Sequence, residues 1–126
     1  MDFISSKGIF LQIADTLCRQ ILEGELKPGD RVPSVRDLAA EFEVNRNTVM
    51  RTYTNLQEAG IFENKRGIGF FITENAVELV SGGEKQEFYT NELPKFILKV
   101  KLLKLNSNDL ADLLSIIEYN EKDENK

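Results

Sequence analysis

Between Glu43 and Tyr53 the chain reads EVNRNTVMRTY, which sets Asn45, Arg46, Asn47 and Arg51 among apolar spacers. Asn is a mediocre helix former, so two of them beside two arginines ask for a reason beyond a solvated helix face. Arg carries a planar fork of donors that fits a guanine edge or a phosphate, and Asn pairs a donor with an acceptor in the spacing of an adenine edge. Arg36 upstream and Lys65-Arg66-Gly67 downstream extend the same chemistry. Each position also has a plainer use. Asn45 is suited to cap a helix, Arg36 to pair with a nearby carboxylate, Arg46 to face solvent, and Lys65-Arg66-Gly67 to shape and solubilise a turn.

Composition narrows the alternatives. The chain of 126 residues has no histidine and one cysteine, which excludes a Cys/His metal site and a histidine-based triad. Cys18 falls on the apolar side of an expected helix, where a thiol is an inert packing group. None of the 21 carboxylates is placed in a context that suggests acid–base work, so neither an enzyme nor a cofactor is expected. A net charge of −5, with −1 in residues 1–73 and −4 in 74–126, runs against the basic footprint of a nucleic-acid binder. The functional reading therefore rests on the cations gathering on one face. No apolar run approaches the roughly 18 residues of a membrane span, and no leader segment is recognisable. A cytoplasmic protein without membrane contact is expected.

The elements that must position these groups follow from periodicity. Phe10, Ile13, Ala14, Leu17, Cys18 and Ile21 recur at three and four, predicting a helix with one buried stripe that stops at Gly24. Pro28-Gly29-Asp30 is a turn, and Arg31-Val32 before Pro33 reads as a very short strand. Ser34 with Asp37 resembles a capping box that opens a short helix with Val35, Leu38, Ala39 and Phe42 inward. After a tight break at Glu43-Val44, Asn45 caps a longer helix with Val49, Tyr53 and Leu56 inward and Gly60 at its end. Two short helices about three residues apart make a helix-turn-helix. Ile61-Phe62 and Phe70-Phe71-Ile72 then flank a turn at Lys65-Arg66-Gly67, a hairpin that completes a winged helix and that Arg31-Val32 supports as a third strand.

The geometry of such a fold assigns the donors. The second helix of the pair enters the major groove with its N-terminal residues nearest the bases, where Asn45, Arg46 and Asn47 fall. Arg51, a turn further on, reaches a phosphate or a base. Arg36 lies where the preceding helix meets the backbone, and the cations at the hairpin tip suit a narrow, electronegative minor groove.

Residues 11–72, from LQIADTL through PGDRVPSVRDLA and NRNTV to AGIFENKRGIGFFI, resemble the DNA-binding domain of GntR-type bacterial transcription regulators. The resemblance implies that Arg36, Asn45, Arg46, Asn47 and Gly67 occupy DNA-contact positions, with Thr48 and Tyr53 as phosphate neighbours. The expected contact set is thus Ser34, Arg36, Asn45, Arg46, Asn47, Thr48, Arg51, Tyr53, Lys65, Arg66 and Gly67. The short remainder of the chain resembles the YtrA-type subfamily, in which a two-helix tail makes a homodimer and the genes often neighbour ABC transporters. A homodimeric repressor on a palindromic, double-stranded operator is what the resemblance implies.

The tail supports dimerisation on physical grounds. Phe88, Tyr89, Leu93, Phe96, Ile97, Val100 and Leu103 follow helical spacing, interrupted by Pro94, which predicts a kink or break near Glu92-Leu93. Asn106 and Asp109 cap a last helix with Leu110, Leu113, Leu114 and Ile117 on one face. Two amphipathic helices alone are marginal. Packing Phe88, Phe96, Ile97, Val100, Leu103, Leu110, Leu113, Leu114 and Ile117 against a twin completes a core; packing them back on the winged helix is the monomeric alternative. The expected fold is mainly α with a small β-hairpin: a winged helix-turn-helix over 1–73, a linker over 74–83 broken at Ser81-Gly82-Gly83, a helical dimerisation tail over 84–120, and a disordered end over 121–126. A winged helix that serves a protein partner instead of DNA is the competing function, and no residue identifies a small-molecule effector.

Overall fold

The computed structural model describes residues 8–124, so the expectations for residues 1–7, 125 and 126 lie outside the described residues. It divides into two compact units, one ending at Lys85 and one beginning at Gln86.

The first unit opens with α1 (Ile9–Leu22), whose Ile13, Ala14, Leu17 and Ile21 form the buried stripe. Gly24, at φ +83°, ends it; the Gly24 N–H donates to Ile21 O and the Glu25 N–H to Gln20 O, the paired bonds of a Schellman cap. Next, α2 (Val35–Phe42) buries Leu38 and Ala39. It ends in the same two bonds, Glu43 N–H to Ala40 O and Val44 N–H to Ala39 O, with Glu43 taking the left-handed conformation at φ 55° that glycine supplies after α1. This is the tight break of the helix-turn-helix. In α3 (Arg46–Glu58), Val49, Thr52, Tyr53 and Leu56 point inward. The helix stops at Gly60 (φ +82°), where a side chain would also press on Leu79 Cδ1 at 3.3 Å.

Strands β1 (Phe62–Lys65) and β2 (Gly69–Ile72) pair antiparallel with Phe62 opposite Ile72 and Lys65 opposite Gly69. The expected third strand is reduced to a single bridge, Arg31 with Phe71. It is nonetheless well bonded: the Val32 N–H donates to Phe70 O at 2.8 Å and the Ile72 N–H to Asp30 O at 2.9 Å. Directly after Pro33 the chain turns into the Ser34 cap of α2, which limits the strand to that bridge. Tyr53 meets the rings of Phe62 and Phe70 edge to face at 5.2 and 5.1 Å, locking the wing root onto α3. Helix α4 (Ala76–Glu87) adds Ala76 and Val80 to the same core.

One expectation is corrected in this stretch. Ser81-Gly82-Gly83 does not break the chain but lies inside α4. Two glycines cost a helix about 2 kcal/mol in propensity, an amount that the anchoring of Ala76 and Val80 in the core offsets.

In the second unit, Phe88–Glu92 form one π-helical turn ahead of α5 (Leu93–Leu102). Pro94 is the cause. It has no N–H to give Thr90, and its ring would crowd that carbonyl in a regular α-helix. The wider turn relieves this, with the Leu93 N–H reaching five residues back to Phe88 O. Rather than breaking, the helix inserts a residue and shifts the register of its apolar face. After α5, Lys104 takes φ 53° in a further Schellman cap, Lys104 N–H to Lys101 O and Leu105 N–H to Val100 O. Asn106 and Asp109 exchange reciprocal caps at 2.9 and 3.0 Å, the capping box expected there, and lead into α6 (Ala111–Glu124). Residues 121–124, expected to be disordered, are its last turn: the capped start and 14-residue length carry the helix through a charged end.

Candidate nucleic-acid interface

The helix-turn-helix brings most of the singled-out donors to neighbouring helix starts. Ser34, extended at φ −63° and ψ 155°, accepts the Asp37 N–H on its Oγ at 3.0 Å, and the accepting oxygen keeps its own O–H as a donor. Arg36 follows in the first turn of α2 and is exposed. At the start of α3, Asn45 Oδ1 accepts the Asn47 N–H at 2.8 Å. The cap and an outward role coexist, because the cap uses the oxygen and leaves the Asn45 amide nitrogen as a donor. Arg46 and Asn47 are exposed in the first turn, while Thr48 is half-buried.

The inward residues of α3 fix this presentation. With Val49, Thr52, Tyr53 and Leu56 in the core, the 3.6-residue period turns Asn47, Met50, Arg51, Thr54 and Asn55 to one open groove along the helix. Asn47 and Arg51 thus share a wall of the same groove. Its start carries the positive end of the helix dipole, which with Arg46 favours an anionic partner.

Arg51 is more constrained than an exposed arginine usually is. Its guanidinium carbon lies 3.7 Å from the centroid of the Phe10 ring, a cation–π contact. Phe10 is held in turn, for the Thr52 hydroxyl donates to Phe10 O at 2.9 Å. Phe10 was legible only as a core residue of α1; its ring turns out to be a platform for a cation on α3.

Tyr53 must be withdrawn from the contact set. Its side chain is fully buried, its ring is sandwiched against the wing root, and its hydroxyl donates to Pro33 O at 2.6 Å. Burial first, and then the charges of Glu41 and Asp37, push the phenol well above its ordinary range. No phosphate reaches it. Its role is to tie α3 to the loop ahead of α2.

The wing carries Lys65, Arg66 and Gly67 at its tip, with Gly67 at φ +81° as the turn requires. Lys65 lays its ammonium 4.4 Å from the centroid of the Phe71 ring, and Arg66 extends into solvent. The residue that braces the tip was read from the sequence only as a strand residue. Arg31 Nη2 donates to Ile68 O at 2.6 Å, and a Cβ on Gly69 would stand 3.1 Å from Arg31 Nε. An arginine in a strand facing a Gly-x-Gly turn is the signal that could have found it. Arg31 also borders a groove with Val32, Pro33, Ser34 and Asp37, so one loop, held to α3 by Tyr53 and to the wing by Arg31, links the start of α2 to the wing.

Other chemistries find no support here. Cys18 is half-buried and its thiol is pushed up to about 11 by burial first, then by Glu84 and Asp15, the opposite of an activated nucleophile. Among the described residues no cluster of His, Cys, Asp or Glu is placed to hold a metal ion, and no helix is long and apolar enough to cross a membrane.

A helix-turn-helix with outward Asn and Arg at the start of its second helix, and a braced cationic wing, defines the winged-helix class of DNA-binding protein. Residues 10–72 match the family described as bacterial regulatory proteins of the gntR family. The chain is 42% identical over 111 residues to the HTH-type transcriptional regulator YhcF of Bacillus subtilis, covering 87% of this chain and 89% of that protein. It is 41% identical over 95 residues to the HTH-type transcriptional repressor YtrA of the same organism, covering 75% and 72%. Among solved structures, a putative GntR-family regulator from Bacteroides thetaiotaomicron superposes with a TM-score of 0.69 at 35% identity, covering 90% of this chain and 99% of that one. The chain belongs to the GntR family of helix-turn-helix transcription regulators. It is a DNA-binding regulator rather than an enzyme.

Proposed function

We propose that the protein is a repressor that acts in the cytoplasm as a homodimer on a palindromic operator. The observation that carries the sequence-specific part is the first turn of α3, where a satisfied N-cap leaves the Asn45 amide, Arg46 and Asn47 facing outward. In a major groove these groups meet base edges. Ser34, Arg36, Thr48 and Arg51 serve the phosphates on either side, and Lys65, Arg66 and Gly67 reach the adjoining minor groove.

The homodimer is supported by the second unit, in which no described residue is buried. Phe88, Phe96, Ile97, Leu103, Leu113, Leu114 and Ile117 are exposed there, and Val100 and Leu110 are half-buried. Large apolar side chains left exposed along both helices mark an interface, and a twin offers the self-complementary partner that two-fold symmetry provides. Two copies then address half-sites about one helical turn apart. Repression is the activity named for the B. subtilis relative YtrA, and the likeness to its subfamily directs the search for regulated genes to transporters.

The test is a mobility shift of the full chain on the intergenic DNA upstream of its own gene, with random duplex as competitor. A discrete, competitor-resistant complex of two chains per site is expected. Arg46→Ala should lose about 1–3 kcal/mol of specific affinity with little change on random DNA. Equal losses on both would make Arg46 a phosphate contact, and a wild type that binds operator fragments no better than random DNA would leave the winged helix to a protein partner.

A further inference from the structure

We propose that Ile68 is a minor-groove probe: an apolar side chain that the wing holds rigidly outward and that favours A·T pairs by excluding the exocyclic amine of guanine. The inference rests on the DNA reading above and goes beyond the cationic tip. Of the other large apolar residues of the hairpin, Phe62, Phe70 and Ile72 are buried in the core and Phe71 is half-buried, with the Lys65 ammonium over its ring. Ile68 is 57% exposed at the very tip, where a polar residue would be solvated at no cost.

Its backbone is held from both ends. The Ile68 N–H donates to Lys65 O at 2.9 Å, and its carbonyl accepts the 2.6 Å bond from Arg31 Nη2. On either side stand Gly67 and Gly69, at φ +81° and +143°, conformations an L side chain rarely adopts. The space above Gly69 is taken by the Arg31 guanidinium. Turning Ile68 back toward the core therefore means breaking the Arg31 brace and the Lys65 turn bond together. Arg31 is the positioning residue and Ile68 is the group it presents.

The flanking charges select the surface it meets. Lys65 and Arg66 draw the tip to the narrow, negative minor groove of A·T-rich DNA, and a single apolar side chain beside two cations is too small for a protein docking face. On the floor of that groove A·T and T·A show only acceptors, whereas G·C adds the guanine N2 amine, a donor. An isoleucine seated over that amine strips its water and returns no acceptor, so a donor is left unsatisfied. An A·T pair exposes acceptors on its floor as a G·C pair does but has no such amine, so this additional unsatisfied donor is avoided there. The cations bring the wing to the groove, and Ile68 makes it discriminate.

The experiment begins with selection of binding sites by the full chain from a pool of random-sequence duplexes. In the selected site each flanking A·T pair is replaced singly by G·C and by inosine·cytosine, which lacks the N2 amine. For the wild type, G·C at the wing position should weaken binding about tenfold and inosine·cytosine should restore it. Ile68→Val should keep this difference and Ile68→Ser should abolish it, with the preferences read by α3 unchanged. Arg31→Gln should blunt the difference by loosening the tip. If Ile68→Ser still separates G·C from inosine·cytosine as the wild type does, or if the wild type treats the two alike, the proposal is overturned. Failure of the wild type to enrich any sequence would instead overturn the DNA reading on which it stands.

Discussion

Tyr53 and Tyr89 show how differently the two units use the same side chain. Tyr53 is completely enclosed, with two aromatic neighbours at edge-to-face distance and a carbonyl on its hydroxyl. Tyr89 is 60% exposed, with Phe88 beside it and that ring itself 42% exposed. The contrast extends to the units. In the first, apolar side chains from α1, α2, α3, the wing and α4 converge on one core. In the second, apolar stripes on α5 and α6 keep their exposure although α5 ends in a Schellman cap and a capping box leads into α6. Backbone hydrogen bonding is complete within a single helix, but burial needs a facing surface, so the second unit can form its helices and still lack a core.

The comparison breaks first at Tyr53. Replacing it with Ala should lower unfolding stability by about 3–5 kcal/mol, with a denaturant midpoint that does not move with protein concentration. A midpoint that did move would mean that the first unit, too, depends on association. The second unit should behave in the opposite manner. Phe96→Asp with Leu114→Asp puts carboxylates on the exposed stripes of α5 and α6, and the chain should then sediment as a monomer. Affinity for a two-half-site duplex should fall about a hundredfold through loss of the linked second site, while a single half-site is bound as before. A double variant that still sediments as a dimer would place the interface elsewhere. Smaller again is Phe10→Leu, which removes the platform under Arg51. Binding should weaken by about 0.5–1 kcal/mol at exposed-site strength, Phe10→Tyr should retain it, and an unchanged affinity would show that Arg51 needs no support.

Most of the first unit was legible from its sequence because local signals and tertiary packing agree there. The stripe from Ile13 to Ile21, the Ser34 and Asn45 caps and the glycine at the wing turn each dictate one local outcome, and the core accepts it. Legibility failed where a residue's use is set by a contact distant in sequence. Phe10 and Arg51 are 41 positions apart and Arg31 and Ile68 are 37 apart, and no periodicity connects either pair. Tyr53 was assigned an interior position by helical spacing and an outward one by resemblance; the 3.6-residue period decided correctly. In the expected linker, Ser81-Gly82-Gly83 reads as a break because propensity counts only the helix, whereas the buried Ala76 and Val80 at the start of α4 belong to the core of the first unit. Pro94 produced a π turn rather than a break, since the chain can widen one turn at less cost than it can stop a helix with apolar residues still to place.

The least change that still distinguishes the units is a matched pair of glycine substitutions. Schellman caps end α1, α2, α3 and α5, with Gly24 and Gly60 in the left-handed position of two and Glu43 and Lys104 in that of the others. An L side chain there costs about 1 kcal/mol, and glycine removes that cost while adding roughly 0.5–1 kcal/mol of chain entropy to the unfolded state. Glu43→Gly and Lys104→Gly should therefore each stabilise by a few tenths of a kcal/mol at most. Their value lies in where the gain is seen. For Glu43→Gly the midpoint of chemical unfolding should rise by the same amount at every protein concentration, because α2 is packed in a core that one chain completes. With Lys104→Gly the gain should show in the transition that depends on concentration, since the proposed dimer buries α5 and α6 only against a partner. If Lys104→Gly instead moved a concentration-independent transition, the second unit would be finding its cover within its own chain, and the dimer proposed from its exposed stripes would lose its physical basis.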